Sequence, residues 1–226
     1  MNVLITGTSS GIGRAAAQLF LSKGHAVFGI DREESSISAE SLSGGMYRHF
    51  VADISRAEQL PELPPIEILI NNAGVQTATE SDIAVNLLGT IAVTEKYAFN
   101  SKIKSVLFNS SASALTGNEF ALYTASKAGA VGYMKNAAIR LANEYRATCN
   151  ALCFGGVLTR LNRPVTEDQK LWKRIMDVTP LKRWATAQEA AQWCYFMTAV
   201  NGFCTGQAIE ISGGERNCAD LFVWPE

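Results

Sequence analysis

The chain has 226 residues, of which 47% are hydrophobic and 18% charged, so it can bury at least one sizeable core. Its 20 Lys and Arg residues nearly balance 21 Asp and Glu residues, and the charges are scattered rather than gathered into runs. No apolar stretch reaches the ~18 residues that a membrane-spanning helix needs. Composition therefore gives no reason to expect a nucleic acid or a membrane as partner.

The first predicted elements are a strand at 2–7 and a helix that follows it. In the helix, Ile12, Ala16, Leu19 and Phe20 recur at helical spacing until Gly24. Further apolar runs predict strands at 26–31, 48–53, 67–74, 104–111, 147–155 and 207–212. Further helical patterns lie at 82–100, 123–145, 167–177 and 187–199, while 32–47 and 54–65 are expected to hold trimmed or irregular helices.

Apolar strands that alternate with helices predict an α/β fold. We expect a doubly wound parallel sheet of about seven strands with helices on both faces. No linker or repeat divides the chain, so residues 1–226 are expected to form a single domain. Within it, 155–185 is the expected substrate loop region. The tail at 215–226 has no assigned structure, and its apolar end is expected either to dock on a subunit or to be disordered.

The five cysteines are an odd number in a chain that begins directly with a strand-like run and has no charged-then-apolar leader. This pattern favours free thiols in a reducing cytoplasm. Cys149 and Cys153 are four residues apart, but they fall in a predicted strand with no histidine or second cysteine pair nearby. We therefore expect no metal site.

Three glycines stand in TGTSSGIG, residues 6–13, where a predicted strand turns into a helix. Gly7, Gly11 and Gly13 would let the backbone approach a pyrophosphate, and free N–H groups at the helix start favour its negative charge. A tight turn without a ligand is the simpler alternative. A P-loop is a poor alternative, because no Gly-Lys-Ser/Thr follows.

Asp31 closes the second predicted strand, where an acidic side chain can accept hydrogen bonds from an adenosine ribose. A carboxylate there would repel a 2′-phosphate, so NAD(H) is favoured over NADP(H). Arg32 keeps NADP(H) open, because a guanidinium beside the ribose could hold that phosphate. Asp31 could also serve only as a strand-end or helix-capping residue.

Tyr123 and Lys127 are four residues apart in YTASK, so they project from the same face of a predicted helix. Two unit charges ~4 Å apart interact by about 4 kcal/mol at an effective dielectric near 20, equivalent to roughly three pKa units. We therefore expect Lys127 to bring the pKa of Tyr123 from about 10 towards neutrality, where general acid/base catalysis works best. In isolation, such a pair on a helix usually has no function.

Together these stretches resemble the short-chain dehydrogenase/reductase family, and the match runs nearly end to end. The other matching stretches are AD at 52–53, NNAG at 71–74, NLLG at 86–89, NSS at 109–111 and TGQAIEISGG at 205–214. Each is modest alone, but their order and spacing are specific. The resemblance implies a Rossmann fold and argues against sugar-nucleotide epimerases and enoyl reductases, whose glycine or Tyr–Lys spacing usually differs.

The resemblance also implies roles for individual residues. Asn86, Ser111, Tyr123 and Lys127 would form a catalytic tetrad, in which Ser111 binds the substrate oxygen and Asn86 holds a water that links Lys127 to solvent. Besides Tyr123 and Lys127, the residues implied in cofactor binding are Gly7, Ser9, Ser10, Gly11, Ile12, Gly13, Asp31, Arg32, Asp53, Ile54, Asn72, Ala73, Gly74, Val157 and Thr159.

Three departures from the family pattern matter. Phe154 stands where the family usually has proline, so we expect a less rigid loop beneath the nicotinamide. The step from Ser111 to Tyr123 is one residue shorter than expected, whereas Ser110 would fit. We choose Ser111 because it ends the strand, and a one-residue deletion in the following loop is cheap. The loop from Val75 to about Glu80 is short, which leaves one wall of the substrate cleft low.

The resemblance implies an NAD(P)-dependent oxidoreductase that interconverts a secondary alcohol and a ketone by hydride transfer, with Tyr123 as general acid and base. A non-catalytic dinucleotide-binding sensor or scaffold that retains the fold is the alternative. The expected partner is a small alcohol or ketone that the sequence does not identify. Arg160 and Arg163 could bind a substrate carboxylate or phosphate, or lie in a solvated loop. By the same resemblance, we expect a homodimer or homotetramer.

Overall fold

The computed structural model describes residues 1–35, 37 and 45–215. Seven strands form one sheet: β1 (Asn2–Thr6), β2 (Ala26–Asp31), β3 (Tyr47–Val51), β4 (Ile68–Asn71), β5 (Ser105–Ser111), β6 (Thr148–Phe154) and β9 (Ala208–Ile211). Two shorter strands, β7 (Val157–Leu158) and β8 (Ala185–Thr186), pair with each other in a separate sheet. The seven predicted strands are therefore confirmed, and the small sheet is an addition.

The described helices connect these strands. They are α1 (Gly11–Ser22), α2 (Glu80–Ile83), α3 (Thr90–Tyr97), α4 (Ser113–Thr116), α5 (Ala121–Tyr145), α6 (Arg163–Thr166), α7 (Gln169–Val178) and α8 (Ala187–Tyr195). A π-helix, Ala84–Gly89, joins α2 to α3, and a second, Phe196–Val200, continues α8. The helix predicted at 82–100 is therefore found, but with a wider turn in its middle.

The strand order is β3-β2-β1-β4-β5-β6-β9, and every neighbouring pair is parallel. The chain thus builds outward from β1 in one direction and then returns to build outward from β4 in the other. This is the doubly wound Rossmann arrangement that the sequence predicts. In such sheets the loops at the carboxyl ends of the two central strands diverge, and a crevice opens between them.

The core lies in two layers, one on each face of the sheet. Leu4 points to the layer formed with α3 and α5, whereas Val3 and Ile5 point to the layer formed with α1 and α8. All three side chains are fully buried. Because side chains alternate along a strand, a parallel strand covered on both faces must be apolar throughout, and β1 meets this requirement.

The described residues of the weakly patterned segments hold little regular structure. Residues 54–65 contain one 3₁₀ turn, Ala57–Gln59, in place of an irregular helix. In 32–47, the described residues before Tyr47 form no helix, and the remaining ones, 36 and 38–44, lie outside the described part. The predicted docking of the tail also falls on residues 216–226, which the structure does not describe.

Gly13 permits α1 to approach the end of β1 closely. A Cβ at this position would overlap the Gly7 carbonyl oxygen and the Asn72 side-chain nitrogen, neither of which can move without breaking the loop. We expect Gly13→Ala to lower the free energy of unfolding by about 1–3 kcal/mol through overpacking. Urea denaturation measures this change.

Gly132→Ala provides the matched control, because Gly132 lies inside α5 and a Cβ there would meet open space. This substitution should raise stability by about 0.5–1 kcal/mol, the usual gain from replacing glycine in a helix. If both substitutions changed the free energy of unfolding equally, the close packing around Gly13 would not require glycine there.

Candidate active site

A cleft of about 1200 Å³ opens at the carboxyl ends of the sheet strands. Most residues predicted to bind cofactor or substrate line it, from Gly7 and Asp31 at one end to Ser111, Tyr123 and Lys127 at the other. Three predicted residues lie just behind its surface: Ser9, Gly13 and Asn86. The fold therefore gathers the predicted site residues around one cavity.

The glycine loop is fixed to the end of β2. The Gly7 N–H donates to the Ile30 carbonyl at 2.7 Å, and the Ser9 N–H donates to the Asp31 carboxylate at 2.9 Å. Gly7 has φ +76° and Gly11 has φ +53°, a region that favours glycine. Beyond Gly11 the α1 helix begins, so its first backbone N–H groups face the cleft.

The Asp31 carboxylate is held by two backbone donors. Oδ2 accepts from the Ser9 N–H, and Oδ1 accepts from the Glu33 N–H at 3.0 Å. A carboxylate has further lone pairs, so this anchoring leaves acceptor capacity that can face the cleft. The capping role and the ribose-binding role considered for Asp31 are compatible in this geometry.

Asp53 stands further along the same end of the cleft. Its Oδ1 accepts hydrogen bonds from the Ser55 N–H at 2.9 Å and from the Ser55 hydroxyl at 2.7 Å. Burial alone would raise the pKa of Asp53, but these hydrogen bonds outweigh it and hold the pKa below its usual range. Asp53 is therefore an anionic acceptor at neutral pH.

Asn72 joins the glycine loop to the catalytic end of the cleft. Its side-chain NH₂ donates to the Thr6 carbonyl at 2.9 Å, and its side-chain oxygen accepts from the Asn109 NH₂ at 2.9 Å. The Asn109 carbonyl oxygen in turn accepts from the Lys127 ammonium at 3.1 Å. A chain of polar contacts thus runs across the carboxyl ends of β1, β4 and β5.

Tyr123 and Lys127 share one face of the first turns of α5, as predicted from their spacing. The Lys127 ammonium lies 5.8 Å from the centre of the Tyr123 ring, and the lysine side chain is buried. The Ser111 side chain lies close enough to the Tyr123 phenol to lower its pKa. The Ser110 hydroxyl instead donates to the Lys127 backbone carbonyl at 3.1 Å. The geometry therefore favours Ser111 over Ser110 as the serine that faces Tyr123.

In this structure Lys127 alone does not lower the pKa of Tyr123 towards neutrality. Burial raises the pKa of Tyr123 to about 12, and the nearby Ser111 side chain only partly opposes it. Burial likewise lowers the pKa of Lys127 to about 8, although Cys153, Asp82 and Glu119 act against this. Two charges ~4 Å apart do not describe this pair, because burial disfavours the charged forms of both groups. In addition, the Lys127 ammonium faces the Tyr123 ring rather than its hydroxyl.

Asn86 lies within the π-helix Ala84–Gly89 and is buried. The Asn86 side-chain NH₂ donates to the Val75 carbonyl, and the Asn86 side-chain oxygen accepts from the Val75 N–H, both at 2.8 Å. It also donates to the Ser126 hydroxyl at 3.1 Å. A Cβ on Gly74 would stand 3.1 Å from the Asn86 oxygen and 3.2 Å from the Lys127 nitrogen, so both groups flank that glycine.

The short loop after β4 is held by a residue that sequence reasoning missed. Asp82 is fully buried, and its carboxylate accepts from the Thr77 N–H at 2.8 Å and the Ala78 N–H at 2.9 Å. Nothing in its sequence context marks Asp82, because its partners become its neighbours only once the loop has folded. The low cleft wall is therefore an ordered one.

Phe154 ends β6 and is buried at the wall of the cleft. Its carbonyl oxygen accepts from the Ala112 N–H at 2.8 Å, and the Gly155 N–H donates to the Ile211 carbonyl at 3.0 Å. The Trp184 ring covers Gly156, where a Cβ would overlap it. Hydrogen bonds and ring packing thus hold the segment that a proline would otherwise stiffen.

Two further carboxylates, Glu119 and Glu215, line the cleft near Tyr123 and were also missed. Glu119 adopts φ +85°, and Glu215 lies next to Gly155. Sequence gives no warning of either, because both stand in irregular segments that flank regular elements. Among the described residues, no group of three or more His, Cys, Asp or Glu side chains could hold a metal ion. Each described helix is too short or too polar to cross a membrane.

The buried ammonium of Lys127 should cost stability. Its pKa is lowered from 10.5 to about 8, so protonated Lys127 disfavours the folded state below pH 8. Lys127→Met should raise the free energy of unfolding at pH 7 by about 1–2 kcal/mol, since the lost hydrogen bond offsets part of the gain. The gain should shrink as pH rises from 8 towards 10, because folded Lys127 is then neutral while the unfolded chain still binds the proton.

Urea denaturation at pH 7 and pH 9.5 measures both effects. Lys135→Met is the matched control, because Lys135 is an exposed lysine of α5. It should change stability by less than about 0.5 kcal/mol at either pH. A loss of stability in Lys127→Met at pH 7 would contradict the burial argument.

Known proteins share this fold and sequence pattern. Residues 1–170 match the family model described as short chain dehydrogenase. A glucose 1-dehydrogenase of Gluconobacter oxydans is 30% identical, with 94% of this chain and 90% of that protein covered. A 3-oxoacyl-[acyl-carrier protein] reductase of Brucella melitensis, solved in complex with NAD, is 26% identical, has a TM-score of 0.83, and is covered over 96% of its length by 95% of this chain.

A solved structure with bound NADP, provisionally assigned as a 2-deoxy-D-gluconate 3-dehydrogenase of Agrobacterium tumefaciens, has a TM-score of 0.87. Its sequence is 23% identical to this chain, and the match covers 95% of each of the two chains. At this identity the likeness shows only that the two proteins share a fold. The family model and the glucose dehydrogenase show more, because they match the sequence itself over most of its length. The chain belongs to the short-chain dehydrogenase/reductase family of oxidoreductases.

Proposed function

We propose that this protein is an NAD-dependent oxidoreductase that interconverts a secondary alcohol and a ketone by hydride transfer. The observation that carries the proposal is the placement of Tyr123, Ser111 and the buried Lys127 together on the wall of a cleft that the glycine loop also lines. Within the proposal, Asn86, Ser111, Tyr123 and Lys127 are the catalytic tetrad.

The residues at the other end of the cleft fit a nicotinamide dinucleotide. Backbone N–H groups at the start of α1 suit a pyrophosphate, and the anchored Asp31 carboxylate suits the adenosine ribose. Asp53 and Ile54 would hold the adenine, Asn72 to Gly74 the adenosine ribose, and Thr159 the nicotinamide carboxamide. When bound, the nicotinamide supplies the hydride donor or acceptor.

Among the protein's own groups, Ser111 and Tyr123 would bind the reacting oxygen of the substrate. In oxidation Tyr123 takes the alcohol proton at its phenolic oxygen, and in reduction it returns a proton to the carbonyl oxygen. With its pKa about 12 beside Lys127, Tyr123 needs positive charge beyond that of Lys127 to act as a base at neutral pH, and an oxidised nicotinamide would add it. Lys127, with its pKa about 8, can exchange a proton with solvent near neutrality.

Asn86 is a positioning residue in this proposal. Its two hydrogen bonds to Val75 hold the loop after β4, and its amide flanks Gly74 opposite Lys127. We propose that it fixes a water through which Lys127 reaches solvent. The single-domain organisation, the homodimer or homotetramer and the cytoplasmic location remain predictions from the sequence and its resemblance.

Tyr123→Phe tests the catalytic role. The substitution removes the phenolic oxygen and keeps the ring, so turnover should fall by about 10²–10⁴, the usual contribution of general acid/base catalysis. NADH binding, followed by fluorescence titration, should change less than about tenfold and far less than turnover, since all the other residues implied in cofactor binding remain. Turnover is measured as NADH formation across a panel of secondary alcohols.

Tyr145→Phe is the control, because Tyr145 ends the same helix away from the cleft and does not line it. It should retain full turnover and NADH binding. If wild-type protein binds NADH but oxidises no alcohol and reduces no ketone in the panel, the non-catalytic sensor or scaffold becomes the better interpretation.

Asp31 tests the choice of cofactor. In Asp31→Ser the carboxylate that would repel a 2′-phosphate is gone, so the ratio of the NADP Kd to the NAD Kd should fall by at least ~10-fold, equivalent to about 1.4 kcal/mol. Arg32→Ala distinguishes the alternative. If Arg32 holds a 2′-phosphate in the wild-type protein, this variant loses NADP binding selectively, and the preference for NAD proposed here is wrong.

A further inference from the structure

The substrate end of the cleft is bordered by two carboxylates on opposite sides. Glu119 precedes α5, and its Oε2 accepts from the Gln76 side chain at 3.2 Å. Glu215 follows β9, and its Oε1 accepts from the Thr179 hydroxyl at 3.0 Å and from the Trp184 indole N–H at 3.2 Å. Two partly buried donors therefore hold Glu215 at the wall, whereas Glu119 is exposed at the rim.

These carboxylates act on each other. Glu119 is an exposed residue, but partial burial of its carboxyl group and then repulsion from Glu215 raise its pKa, while Lys127 opposes the shift. The described cations that line the cleft are Arg32, Lys127 and Arg160. Lys127 donates to Asn109, and Arg160 lies 3.8 Å from Glu33, at the Asp31 end. Among the described residues, neither Glu119 nor Glu215 forms a salt bridge, so the negative charge of the substrate end is opposed only by the nearby Lys127.

An independent observation at the same place is the Ser113 hydroxyl. Ser113 lines the cleft two residues after Ser111 and is only 2% exposed. Its oxygen has no hydrogen-bond partner among the described residues. A buried hydroxyl without a partner costs free energy, so the wall offers a polar contact that a ligand rather than the protein would satisfy.

The facing wall is apolar. Leu171, Ile175 and Val178 of α7 line the cleft together with Val165 of α6. Such a surface favours an aliphatic or aromatic body rather than a fully hydroxylated one. The substrate end therefore combines one apolar wall with an anionic border.

We propose that the substrate is an alcohol or ketone that carries a cationic amine beside an apolar group. A cation would relieve the repulsion between Glu119 and Glu215, which a neutral hydroxyl cannot do, and a substrate carboxylate would add a third negative charge. This disfavours the pairing of Arg160 and Arg163 with a substrate carboxylate or phosphate that the sequence left open. The inference rests on the proposed oxidoreductase function and names its substrate class.

Three secondary alcohols with one skeleton test it: 2-amino-1-phenylethanol, 1-phenyl-1,2-ethanediol and mandelate. The first two differ only in an ammonium or a hydroxyl on the CH₂ beside the carbinol, and in mandelate a carboxylate takes the place of that CH₂ group. With NAD, kcat/KM for the amine should exceed that for the diol by about tenfold, the worth of a charge-assisted hydrogen bond, and mandelate should be poorest. A diol or mandelate preferred over the amine would overturn the proposal.

Glu119→Gln and Glu215→Gln should each lower the amine-to-diol ratio of kcat/KM by about threefold or more, because glutamine keeps an acceptor oxygen but removes the charge. Glu58→Gln is the matched control, since Glu58 is exposed and does not line the cleft. It should leave the ratio unchanged. An unchanged ratio in both cleft variants would also overturn the proposal.

A binding measurement separates this inference from the proposed function. Calorimetric titration of the NADH-loaded protein with phenethylamine and with phenylacetate requires no turnover. Phenethylamine should bind more tightly, and the difference should shrink in Glu119→Gln. If this selectivity is present but no alcohol is oxidised, the oxidoreductase proposal fails and the cationic site stands. If alcohols are oxidised but phenethylamine does not bind more tightly than phenylacetate, the cationic site fails and the oxidoreductase proposal stands.

Discussion

The site depends on an ammonium group that the fold buries. Lys127 is placed beneath the cleft by α5, and its charge is met by the backbone carbonyl of Asn109 rather than by a carboxylate. Burial brings its pKa to about 8, close to the working range of a proton carrier, at a cost to folding. The packed sheet and the chain of amides beside it must supply the stability that this charge removes.

Sequence patterns predicted the sheet well because its strands are covered on both faces, and such strands must be apolar throughout. β1 shows this: Leu4 serves one layer and Val3 and Ile5 the other. Hydrophobic patterns did not predict elements that are too short to present a periodic apolar face. The two-residue strands β7 and β8 and the short α4 carry no periodicity, and the π-turn at Ala84–Gly89 depends on how Asn86 meets Val75. These features arise from contacts that are remote in sequence.

The candidate site divides in the same way. Residues in short motifs, such as the glycine loop, Tyr123 and Lys127, could be placed from spacing alone. Ser111 was chosen over Ser110 from its place at the strand end, and the coordinates support this choice because neighbouring residues on a strand point to opposite faces. The pKa of Tyr123 could not be predicted from spacing, because desolvation depends on everything packed around the phenol. Glu119 and Glu215 come to line the same cleft only after folding, so no local sequence motif predicts them.

The amide chain from Thr6 through Asn72 and Asn109 has a broader consequence. Asn72 touches the loop that would bind phosphates, while Asn109 holds the amine that would govern proton exchange. These hydrogen bonds join the two ends of the cleft, so a substitution that displaced the glycine loop would also move neighbours of the Lys127 ammonium. Changes made for nucleotide binding are therefore expected to alter the surroundings of the amine as well.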